Sequence, residues 1–157
     1  QLAQNVAFAV GLRDAMDRAA GDIDAVRAIR EQVADLKRRT EANAAAAGLR
    51  TAADAVIARC DAIEAQLHNP GAQVVYDILA GREGGAKLYS QLSPLYSWAQ
   101  QSDHAPTQGM RERAAWLEGE LGRIDGEIAA LRSGELARLE SEAAALSLPR
   151  VIVPGAR

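Results

Sequence analysis

The sequence predicts an all-α fold, an antiparallel helical bundle of three long helices and one shorter one. Apolar residues recur at helical spacing in four stretches of the 157-residue chain, and Gly, Pro and Asn gather between those stretches. Composition agrees: 48% of residues are apolar and 25% charged against only 4% aromatic, the balance of a globular domain rather than a disordered or fibrous one. The length suits a single domain, residues 1–157, with a core of useful size.

The first helix is expected from Leu2 to about Thr40. At 100° per residue, Phe8, Leu12, Ala19, Ile23, Val26, Ile29 and Val33 fall within roughly 60° of one another's centre at Val26. Gly11 and Gly21 weaken this helix, each by about 1 kcal/mol against Ala. Arg13, Asp14, Asp17, Arg18, Asp24, Arg27 and Glu31 make a mixed-sign outer face. On it Asp14–Arg18 and Arg27–Glu31 stand four apart and are placed to pair.

A turn near Thr40 to Asn43 leads to the second helix, whose stripe is Ala45, Leu49, Val56, Cys60, Ile63 and Leu67. It stops at His68-Asn69-Pro70-Gly71, where Pro removes a donor and Gly a side chain. From Gly71 to Gly85 the pattern is weakest, and Val74 to Leu79 fits a helical turn or an extended segment equally. The third, shorter helix carries Leu88, Leu92, Leu95 and Ala99 on one face. Pro94 within it predicts a kink or a restart at Ser93.

Thr107 reads as the N-cap of the last helix. Met110, Ala114, Leu117, Leu121, Ile124, Ile128 and Leu131 then follow a 4-3 spacing, the heptad signature. Beyond Gly134 the stripe resumes one residue late, at Leu136, Leu139, Ala143 and Leu146, a spacing that suits a straight helix. Pro149 ends the pattern, and Val151-Ile152-Val153 reads as an apolar tail tucked against the bundle.

Several kinds of chemistry are excluded. The formal net charge of −3 disfavours nucleic-acid binding through phosphate neutralisation. The longest uncharged stretch, Leu88 to Ser102, contains Pro94 and several polar groups, so no membrane insertion is expected. A lone Cys60 allows neither an internal disulfide nor a Cys-based zinc site, and on an apolar stripe it reads as an inert core thiol. A di-iron bundle needs a Glu three residues before its His, whereas Ala65 precedes His68 and Gln101 precedes His104. Gly81-Arg82-Glu83-Gly84-Gly85 lacks the lysine and the preceding strand of a phosphate loop. The sequence implies no catalytic residue, no metal and no cofactor.

Two features point to a protein partner instead. Tyr76, Tyr89, Tyr96 and Trp98 gather in a short stretch, with Tyr89, Tyr96 and Trp98 on the flanks of the third helix's leucine stripe. Rings at such boundary positions cap a core edge or meet a partner. The alternative contact face is Gly119, Gly122 and Gly126, opposite the leucines of the last helix, where small residues permit close approach.

The run Lys87-Leu88, Leu92 and Leu95, Asp103-x-x-Pro106-Thr107, then a Leu-rich helix ending near Leu148-Pro149, resembles the C-terminal helical segment of bacterial sortilin-type or sialidase-like BNR-repeat β-propeller proteins. These are also described as glycosyl hydrolase or photosystem II stability factor-like. The opening Leu12-Arg13-Asp14 and Ile29-Arg30 resemble the start of the same segment. The resemblance implies an accessory or interaction domain at the C-terminal end of a longer, exported chain, periplasmic or secreted, with any ligand site on the propeller. Its expected partner is then its own upstream propeller. The alternative expectation is a self-associating coiled-coil protein, a homo-oligomer in which the heptad of the last helix pairs between chains.

Overall fold

The computed structural model describes residues 1–72, 81, 84–148 and 150–151. Helix makes up 81% of these residues and no strand occurs among them, so the fold is an all-α helical bundle. Helix α1 spans Leu2–Arg39, a short 3₁₀ turn Ala44–Ala46 precedes α2 at Ala47–Leu67, and α3 spans Leu88–Gln100. Helix α4, Gln108–Leu131, continues through a π-helical turn at Arg132–Leu136 into α5, Ala137–Ala145. Taking α4, the π turn and α5 as one continuous helix gives, among the described residues, the expected three long helices and one shorter one.

The chain groups into two compact units. The first comprises Gln1–Gly21 and Ala65–Ile124, the second Asp22–Glu64 and Asp125–Arg157. In the first unit Leu12, Ala19, Leu67, Leu92, Leu117 and Leu121 are buried, one row from each helix it contains. Asn5 is buried with them and caps the C-terminal end of α3. Its amide donates to the Ala99 carbonyl at 2.7 Å and to the Ser102 carbonyl, adding a side-chain donor to the turn that ends α3. Asn69, also buried, donates to the Gly85 carbonyl at 2.9 Å and accepts from the Gly71 amide, so one side chain ties Gly71 to Gly85. The positive φ angles of Gly81, Gly84 and Gly85 show why glycine stands at these three positions.

In the second unit Val26, Ile29 and Val33 of α1 are fully buried, as are Val56, Cys60 and Ile63 of α2 and Leu131 and Leu139 of the last helix. Burying each such aliphatic side chain stabilises by roughly 1.5–3 kcal/mol, more than an interior glycine costs. Here α1 and α2 run antiparallel, because Arg27 meets Glu64 while Lys37, further along α1, meets Asp54, earlier on α2. The Thr40 hydroxyl donates back to the Leu36 carbonyl, and Arg50 donates to the Thr40 and Asn43 carbonyls, so the turn between these helices is stapled from both sides.

Several sequence expectations need correction. Helix α3 runs through Pro94 without restarting at Ser93; Pro94 is exposed. Ala45 is exposed and its neighbour Ala46 is buried, because the 3₁₀ turn shifts the register before α2 starts. Arg27 turns inward to Glu64 instead of pairing with Glu31, and Arg18 reaches Glu118. The late resumption of the last stripe has a structural cause: the π turn makes a five-residue step from the buried Leu131 to the buried Leu136, keeping both on the core side.

The last helix ends at Ala145, before Pro149 is reached. Leu148 donates to the Ala143 carbonyl and Ser147 to the Ala144 carbonyl, with Ser147 at φ 58°. This is a Schellman ending with a non-glycine residue in the left-handed position. Ser147→Gly is therefore expected to stabilise the protein by about 0.5–1 kcal/mol, and chemical denaturation midpoints check it. Val74 to Leu79, and Ile152 and Val153 of the apolar tail, lie outside the described residues; Val151 is half-buried.

Candidate protein-contact surface

Trp98 on α3 leaves the helix surface with 58% of its area exposed. Leu95 and Ala99 on either side hold α3 to the core, so the position one residue before Ala99 faces outward. Tyr89 and Tyr96 are only half-buried, and the Tyr96 hydroxyl accepts a hydrogen bond from Gln100 at 2.9 Å. Of the described rings of this patch, Trp98 is thus the most exposed. Tyr76 lies outside the described residues.

Sequence reasoning passed over four further apolar residues. Trp116 on α4 is 51% exposed, and the Arg113 guanidinium stacks over its ring at 4.3 Å. Leu2, Val6 and Val10 form an exposed row on the first turns of α1, at 60%, 54% and 39%. Their four-residue spacing was visible, but the stronger stripe through Leu12 and Val26 masked it. Among the described residues, every large exposed hydrophobic side chain belongs to the first unit.

Beside that row the first unit carries a groove of about 520 Å³. Ala7, Gly11 and Ala15 of α1 and Ala114 and Ala115 of α4 line it, and the Arg18–Glu118 ion pair bridges it. The groove exists because small side chains on both helices leave the space between them unfilled. Gly11 is the clearest case, since a Cβ added there meets nothing within 4 Å.

Gly119, Gly122 and Gly126 on α4 are likewise exposed, and an added Cβ at each meets nothing within 4 Å. No part of the described chain approaches these glycines closely.

The buried titratable groups of α2 have clear structural surroundings. Glu64 is only 3% exposed and is clamped by Arg27 and Arg30, each at 2.6 Å. Burial pushes its pKa up, but the hydrogen bonds from Arg27 and Arg30 outweigh it and hold the carboxyl below its ordinary value. Cys60, one turn earlier on α2, is fully buried, and burial pushes its thiol up to about 11. The basic triplet that ends α1 is paired: Lys37 with Asp54, and Arg38 and Arg39 with Asp35. His68 lies half-buried just beyond α2, and His104 is exposed in the turn before α4. Among the described residues no three His, Cys, Asp or Glu side chains are grouped to hold a metal ion, and no helix is long and apolar enough to cross a membrane.

Comparison with protein-family models, curated proteins and solved structures finds no match to this chain.

Proposed function

We propose that this chain is a helical protein-interaction module that works through the surface of its first unit. The observation that carries this reading is the confinement of Leu2, Val6, Val10, Trp98 and Trp116, all well exposed, to that one unit. Tryptophan is the residue most enriched at interface hot spots, because its large rigid ring loses little entropy on contact. The resemblance that begins at Lys87 supports the finer version: an accessory domain without catalytic residues, partnered by the upstream propeller of an exported parent protein.

Trp98→Ser separates docking from core capping. With more than half of the ring exposed, the substitution is expected to leave the melting temperature within about 2 °C, the scale of an ordinary surface change. Binding to the separately produced upstream region, measured by titration calorimetry, is expected to fall at least about tenfold. Undiminished binding removes Trp98 from the interface, and no binding by the unaltered chain removes the propeller as partner.

The competing reading, pairing between chains through the heptad of the last helix, has less support. Leu117, Leu121, Ile124, Ile128 and Leu131 are already buried within the chain, so self-association requires a different face.

A further inference from the structure

We propose that the groove between α1 and α4 is a small-molecule site for an amphipathic monoanion, an alkyl carboxylate whose head meets Arg111 and whose chain lies over Leu12 and Leu92. The groove belongs wholly to the first unit, and its volume of about 520 Å³ is ample for such a ligand. Leu12 and Leu92, 3% and 1% exposed, form its depth, and Phe8 adds to the apolar lining. An apolar chain takes that lining out of water, which a wholly polar ligand cannot do. Trp98 does not line the groove, so this site stands or falls independently of the proposed docking surface.

Charge selects the head group. Two carboxylates line the groove, and each has its own cation: Asp14 is held by Arg13 at 2.6 Å, and Glu118 by Arg18. Arg111 donates to the Pro106 carbonyl and meets no carboxylate among the described residues. Its near neighbour Arg113 differs, being engaged by the Gln91 side chain and the Trp116 ring. Three guanidinium groups thus face two carboxylates, and the surplus is one positive charge. A carboxylate satisfies such a group through two parallel hydrogen bonds, whereas a cation would leave it unmatched and a dianion would exceed it. Arg111 and Glu118 stand seven residues apart on α4, about 10 Å along its axis. A head on Arg111 therefore leaves about that length for a chain before the Arg18–Glu118 pair is reached.

Isothermal titration of the full chain with octanoate tests the site, with octan-1-ol and octylamine as neutral and cationic probes of the same chain length. Arg111 is exposed, so water competes for it, and a Kd of about 0.1–1 mM is expected for octanoate. Octanoate should bind once per chain and shift the amide resonances of Gly11, Ala15 and Ala114. Octan-1-ol should bind at least about tenfold more weakly, and Arg111→Gln should weaken octanoate to the same level. Gly11→Leu fills the groove from its own wall and should abolish binding of both while circular dichroism stays unaltered. No saturable octanoate binding up to about 10 mM overturns the proposal, as does octylamine binding as tightly as octanoate. Unchanged octanoate affinity in Arg111→Gln overturns it by removing the head-group contact. Undiminished binding by Gly11→Leu overturns it too, by placing the uptake on the exposed row of Leu2, Val6 and Val10 instead.

Discussion

Glu64→Ala is expected to destabilise the protein by about 2–3 kcal/mol at neutral pH, among the largest effects available outside the apolar core. The carboxylate is almost fully buried, and its two oxygens take charged hydrogen bonds from Arg27 and Arg30. Removing it leaves two guanidinium groups facing each other, although both are about a third exposed and regain some hydration. That exposure keeps the expected cost below the full penalty of a broken buried pair. The pH dependence has a definite sign. A carboxyl whose folded pKa lies below its unfolded value contributes stability above roughly pH 4.3 and loses it as pH falls through the folded value. The gap between the unaltered chain and Glu64→Gln should therefore be widest near pH 7 and narrow toward pH 3. Urea denaturation at both pH values measures it, and a gap that does not change with pH would show that Glu64 acts by packing alone.

The triple substitution Gly119→Ala, Gly122→Ala and Gly126→Ala is expected to act in the opposite direction. Each glycine lies inside α4 with open space where a methyl would go. Each replacement should then add about 0.8–1 kcal/mol by helix propensity alone. Together they should raise the melting temperature by roughly 5–10 °C for a chain of this size. Thermal melts followed by circular dichroism check the stability. The same variant tests the glycine face as a contact surface: binding lost while stability rises marks close approach by a partner, and binding retained shows that the face stays in solvent. A melting temperature that does not rise would mean that these glycines are held in a conformation alanine resists.

Much of the fold was legible because helical periodicity is a local property. The stripes through Val26, Cys60, Leu92 and Leu121 are buried as their spacing required, and the one-residue offset after Gly134 foreshadowed the π turn. Punctuation was harder to read. Pro94 lies on an exposed side of α3, where one lost hydrogen bond is tolerated, so the helix runs through it without restarting at Ser93. Ser147 takes a left-handed turn that glycine usually fills, and it stops the last helix short of Pro149. The buried polar residues were illegible for a different reason. Asn5 serves Ala99 and Ser102, and Glu64 serves Arg27 and Arg30, partners that only the tertiary fold brings near. Of the contact surface, Trp98 was visible as a flanking ring, whereas Leu2, Val6 and Val10 were not. An apolar row beside a stronger apolar stripe looks like extra core until burial separates the two.

The placement of the rarest side chains gives each unit its own spectroscopic or chemical reporter. Both tryptophans of the chain, Trp98 and Trp116, sit in the first unit, and its one thiol, Cys60, is sealed inside the second. Indole emission therefore follows the opening of the first unit alone. A thiol reagent can react only when the second unit opens, because the buried sulfur is both inaccessible and protonated. If the units open as one cooperative block, fluorescence and thiol labelling must yield the same free energy. If one opens without the other, the two signals part, and their difference measures how independently the halves of the molecule breathe.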